Sequence, residues 1–191
     1  MSNAGVAPAL EARVGRWLEA AARWLAYAGG LILAFLALMT VTSIMGRAFV
    51  FAGLSPIKGD YEMVEMGCAI AIFSFLPWCQ LNRGHVTVDV LVDRFPTRGK
   101  AAFTLLGNIA LAAAACVIAW RLSLGFVDKF PWTWTGGLSF EQNWSAEETY
   151  ELGISLGWGY GLSLIGAMLF ALVALYTVWR SVNEMARGEA V

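Results

Sequence analysis

Four stretches without a single charged side chain set the limits on this chain: Trp24–Gly46, Met66–Asn82, Ala101–Trp120 and Leu152–Trp179. A helix rising about 1.5 Å per residue needs about 20 residues to cross a hydrocarbon core of about 30 Å. The first, third and fourth stretches reach that length alone. The second does so if its helix starts near Tyr61, which puts Glu62 and Glu65 in its first turns. The rest of the composition agrees, with 59% apolar and 14% charged residues, where a soluble domain carries about 25% charged. The expected fold is an all-α membrane protein, one membrane domain over residues 1–191, with spans at about 24–46, 61–82, 101–120 and 154–179.

Basic residues orient such a chain, because Lys and Arg are retained on the cytoplasmic side. With four spans, both termini and the middle loop share one face. That face collects Arg13, Arg16, Arg23, Arg83, Arg94, Arg98, Lys100, Arg180 and Arg187, most of the 13 basic residues. The N- and C-termini are therefore expected in the cytoplasm and the loop 121–151 outside. The N-terminus lacks the basic start and short apolar core of a cleavable signal peptide. Cys68, Cys79 and Cys116 lie in apolar runs without metal-ligand spacing and read as buried free thiols.

Between the spans, three segments stand out. Residues 9–23 carry apolar side chains at three- and four-residue spacing with Arg13, Arg16, Glu19 and Arg23 opposite, the pattern of an amphipathic arm on the inner headgroup layer. It is either a topology anchor or a docking arm for a partner. After the second span, which Pro77 should kink, Val88, Leu91, Val92 and Phe95 predict a short cytoplasmic surface helix ending at Pro96. The outer loop is rich in aromatics, from Phe126 to Tyr150, which argues against disorder. The row Gly153, Gly157, Gly161 at the start of the fourth run has the G-x-x-x-G spacing of close helix contact, either within the chain or with another subunit.

Several chemistries find no support. There is no phosphate-binding G-x-x-x-x-G-K-[ST] loop. The single histidine, His85, cannot supply both axial ligands of a bis-His haem. No metal site, no cofactor and no nucleic-acid partner is expected. Glu62 and Glu65, three apart on one helical face, are the ionisable groups inside a span, near its outer end, where Arg47 is at the right level to pair with one of them. No charge falls near a midplane, where a self-sufficient carrier of polar solutes normally needs one or a broken helix. The pattern suits an accessory subunit better than an enzyme.

The acidic pair in Tyr61-Glu62-Met63-Val64-Glu65, the segment Arg83-Gly84-His85-Val86-Thr87-Val88-Asp89 just after the same span, and Pro96 before the next span resemble the small membrane subunit, DctQ type, of tripartite ATP-independent periplasmic (TRAP) transporters. The resemblance covers roughly residues 17–180, and its specific part is residues 60–96. It implies a non-catalytic subunit of the bacterial inner membrane that scaffolds a large multi-pass subunit. That partner would import an organic acid by ion-coupled symport, with solute delivered by a periplasmic binding protein that touches the outer face transiently. Glu65, Arg83, His85 and Asp89 then count as structural or interface positions, with Gly84 as a bend and membrane lipids as further partners. The long aromatic loop and the glycine-rich fourth span depart from the family pattern. Two other readings use the same four spans. One is a membrane anchor of a redox complex; the other is a small homo-oligomeric exporter with Glu62 or Glu65 as its proton site.

Overall fold

Each apolar run falls mostly within a single helix. The computed structural model describes residues 8–82, 97–130, 132–134, 140–142 and 147–187. Its helices are α1 (Pro8–Ala48), α2 (Asp60–Leu81), α3 (Thr97–Lys129) and α4 (Gly157–Arg187). All four are long and apolar enough to cross a membrane. The fold is all-α in its body, with one minor addition outside the spans. Two three-residue strands, β1 (Trp132–Trp134) and β2 (Phe140–Gln142), pair antiparallel with Thr133 opposite Glu141.

Three expected boundaries move. The arm at 9–23 is not a separate element, because α1 continues through it into the first span as one helix of 41 residues. At about 1.5 Å per residue that is roughly 60 Å, twice the hydrocarbon thickness. The third span does not stop at Trp120, since α3 passes Arg121 and Asp128 to reach Lys129. Charges end a hydrocarbon-compatible window without breaking helical hydrogen bonding, so a charge-free run underestimates the helix. Helical bonding accordingly continues into the loop expected at 121–151 as far as Phe130, whose N–H bonds Phe126 O. At the fourth span the shift is the other way. Gly153 sits at φ 62° in a turn, and α4 starts at Gly157.

The helices form a layer in the order α1, α2, α4, α3, so α4 is flanked on both sides and is the most buried of the four. Small residues set these contacts. Between α3 and α4, Ala112, Ala115 and Ala119 meet Ala167, Ala171 and Ala174 around Phe170. Apolar side chains gain little by leaving lipid for each other, so close backbone packing of small residues is what holds membrane helices together. Between α1 and α2, Gly29 faces Ser74 and Gly67 faces Leu36. Between α2 and α4, Gly159 faces Met66 and Gly166 faces Phe73. Two turns separate both members of this pair, so the two helices run parallel in constant register.

Pro77 lies inside α2 and is buried. Its missing N–H leaves the Phe73 carbonyl without its helical donor. That carbonyl points at Gly166, the one position on α4 where the absence of a Cβ lets it approach.

Candidate functional site

The chemistry-bearing side chains fall at the two ends of the layer, and most are consumed in holding it together. At the end where α2 begins, Gly59 caps the helix at φ 70°, and Asp60 and Glu62 occupy the first turn, where the helix dipole favours carboxylates. Asp60 Oδ2 accepts from Ser43 Oγ at 2.5 Å and from Arg47 Nη2 at 2.7 Å. Arg47 Nη1 also donates to Tyr61 Oη at 2.9 Å. Arg47 therefore pairs with Asp60, and the expected partner, Glu62 or Glu65, is not used. Asp60 precedes the first apolar turn and reaches back across the 49–59 connection to α1, a tertiary contact that helix spacing does not reveal.

Glu62 turns the other way, towards the segment preceding α4. Its carboxylate accepts from the Glu151 N–H at 2.7 Å and the Leu152 N–H at 3.1 Å. In return the Glu151 carboxylate accepts from the Gly59 N–H, and Leu152 lies over Gly59. Beside this, Lys129 pairs with Glu147, and Ser155 Oγ donates to the Lys129 carbonyl at 2.9 Å. Glu148 and Ser155 form an isolated antiparallel bridge. The stretch 147–156 is thus tied to the first turn of α2 and the last turn of α3. Gly157 sits against the Lys129–Phe130 backbone and Gly161 against the Phe126 ring, while Gly153, in the turn before α4, has nothing within 4 Å of its side-chain position.

Glu65, one turn further along α2, has a different setting. It is exposed and makes no hydrogen bond or ion pair with any described residue. It borders a cavity of about 270 Å³ between α2, α3 and α4, lined also by Met66, Phe73, Leu122, Tyr160 and Ser163. Ser163 is 2% exposed and its hydroxyl has no partner among the described residues. Glu62 and Glu65 share a helical face, yet the structure gives one to the loop and leaves the other open.

At the opposite end, polar side chains tie three helices together below the surface. Gln80 Nε2 donates to Thr177 Oγ1 at 2.9 Å and reaches Asn108 Oδ1 at 3.4 Å. Asn108 Nδ2 donates to Ser181 Oγ at 2.7 Å. Gln80 is 2% exposed and its Oε1 lacks a donor among the described residues. Further out, Asn183 Nδ2 donates to Glu11 Oε2 at 2.7 Å, which pins the start of α1 to the end of α4. Arg23 lies 5.5 Å from the Trp78 ring and bonds Glu19. Counting only charges misses this layer. Amide and hydroxyl side chains within apolar runs, Gln80, Asn108 and Thr177, are the signal that finds it, since each must meet a partner in hydrocarbon. The three cysteines are free, but Cys68 and Cys79 are only half-buried and Cys116 is exposed on α3, where burial was expected.

Arg83, Gly84, His85 and Asp89 lie outside the described residues, as does the predicted surface helix ending at Pro96.

No curated protein and no solved structure matches the chain. A family does: residues 36–184 match the profile described as tripartite ATP-independent periplasmic transporters, DctQ component. That segment contains α2, α3 and nearly all of α4, with the Arg47–Asp60 pair, the Glu62 clamp and the Gln80 layer. Since the match takes in most of the sequence, the chain belongs to the DctQ family of tripartite transporter components.

Proposed function

We propose that this chain, as a TRAP transporter small permease subunit, is a non-catalytic scaffold for a large multi-pass membrane subunit. The larger partner would import an organic acid by ion-coupled symport, using solute delivered by a periplasmic binding protein. The supporting observation is how the polar groups are used. Asp60, Glu62, Glu147 and Glu151 are all engaged in joining helices or loops of this chain. The charged residues of the four helices cluster towards their ends, and the buried polar layer at Gln80 uses neutral amides and hydroxyls. A site that binds and releases an ion or a polar solute across a membrane needs ionisable groups or opened backbone at mid-depth. Helices whose end charges are mostly spent on contacts within the chain suit a support.

On this reading the chain lies in the bacterial inner membrane with both termini cytoplasmic, and Arg83, Gly84, His85 and Asp89 belong to the inner face that meets the partner or lipid. Neither the redox anchor nor the exporter gains a specific observation. The test is reconstitution. Proteoliposomes containing this chain alone should take up no solute, while those with the large subunit and binding protein should. Uptake by the chain alone would refute the scaffold reading.

A further inference from the structure

We propose that the cavity bordered by Glu65 and Ser163 is a socket for one basic side chain, a lysine or arginine, presented by a membrane helix of the large subunit. The proposal rests on the scaffold reading and adds to it a place and a chemistry of contact.

Observations on α2 and on α4 converge at one cavity. Glu65 is a carboxylate on α2 without a partner among the described residues, about 4.5 Å deeper along the helix than Glu62, given three residues at 1.5 Å each. Its neighbours on the same rim, Asp60, Glu62, Glu147 and Glu151, all have partners within the chain. Ser163 on α4 offers a buried hydroxyl without a partner among the described residues, lining the same cavity. A buried polar atom in an apolar setting loses the free energy of a hydrogen bond when left alone, and seats a ligand atom at low cost. Between them lies about 270 Å³ of space running along α2 as far as Phe73, walled by Leu122 and Met66.

The shape and the charges select the occupant. A cation on an aliphatic stem fits: its head meets Glu65, the hydroxyl of Ser163 accepts from a donor, and the methylenes lie on Phe73 and Leu122. A lipid ammonium belongs to the headgroup layer, outside the hydrocarbon-spanning part of the helices. A lysine or arginine carried by a transmembrane helix reaches a depth one turn further in. Removing water from the contact strengthens the pair and makes an unpaired Glu65 unfavourable, which couples assembly to correct docking.

The test uses the tagged chain co-expressed with its large subunit in membranes. Glu65→Lys is expected to reduce the co-purified large subunit at least about tenfold, the loss typical of breaking a desolvated charge pair, while leaving the thermal midpoint of the isolated chain unchanged. Glu65→Gln should give a smaller loss, and Ser163→Leu, which fills the cavity, a loss comparable to Glu65→Lys. Replacing one lysine or arginine of the large subunit by glutamate should restore assembly with Glu65→Lys. If Glu65→Lys and Ser163→Leu both co-purify at wild-type yield, the socket is refuted and the scaffold reading stands. If native mass spectrometry finds phosphatidylethanolamine bound to the wild type and lost in Glu65→Gln at unchanged co-purification, the cavity is a lipid site and the proposal fails. If the wild-type chain captures no large subunit, the scaffold reading falls, and the socket with it.

Discussion

Glu62 and Glu151 are locked to each other's backbone surroundings. The Glu62 carboxylate accepts the Glu151 amide at 2.7 Å, while the Glu151 carboxylate accepts the amide of Gly59. Two acidic residues 89 positions apart thereby satisfy orphan N–H groups at a helix start and in a turn, where no helical acceptor exists.

This reciprocity predicts that Glu62→Ala destabilises the isolated subunit, because it orphans the amides of both Glu151 and Leu152. Glu65→Ala should leave stability unchanged, since Glu65 has no partner among the described residues. Thermal unfolding of both variants in one detergent, followed by tryptophan fluorescence, checks the ordering. Equal midpoints would show that the clamp contributes nothing.

At Gly166, an added Cβ would lie 2.6 Å from the Phe73 carbonyl carbon and 3.0 Å from its Cβ. Gly166→Ala should therefore cost about 1–3 kcal/mol through overpacking against backbone that cannot move aside. Gly30 has nothing within 4 Å on its side-chain position. There Gly30→Ala should stabilise by about 0.5–1 kcal/mol, as a helix-interior glycine is replaced without a clash. Opposite signs in the same melting assay are the expected result.

The Gln80–Thr177 bond joins α2 to α4 inside the layer. A double-mutant cycle of Gln80→Leu and Thr177→Val should give a coupling of about 0.6 kcal/mol, the average for hydrogen bonds between membrane helices. Strict additivity would mean that the bond adds nothing over packing.

For the motif after α2, Asp89→Ala should weaken assembly with the large subunit more than it changes solute affinity. Co-purification yield and binding-protein-dependent uptake, measured side by side, separate the two. Normal yield with a shifted apparent affinity would place Asp89 in solute handling.

The number and type of helices were legible in the sequence because the hydrocarbon core imposes a length and excludes charge. That constraint acts on each span separately and leaves its mark in consecutive residues such as Trp24–Gly46. Helix ends were less legible. Lys129 and Pro8 lie far beyond the apolar runs they terminate, since water and headgroups tolerate helical backbone as readily as loop. The DctQ resemblance was readable from Tyr61–Glu65 and Arg83–Asp89, and the family match over 36–184 agrees with it.

Partner choice was decided only in three dimensions. The sequence by itself determined that Arg47, Asp60, Glu62 and Glu65 gather at one end of two adjacent helices, because helical rise fixes their depth. It did not determine who meets whom, since rotation about each helix axis is set by packing on neighbours. The placement of Gly29 against Ser74 and of Gly166 against Phe73 fixes those rotations. They turn Asp60 to Arg47, Glu62 to the turn before α4, and Glu65 to an open cavity beside Ser163.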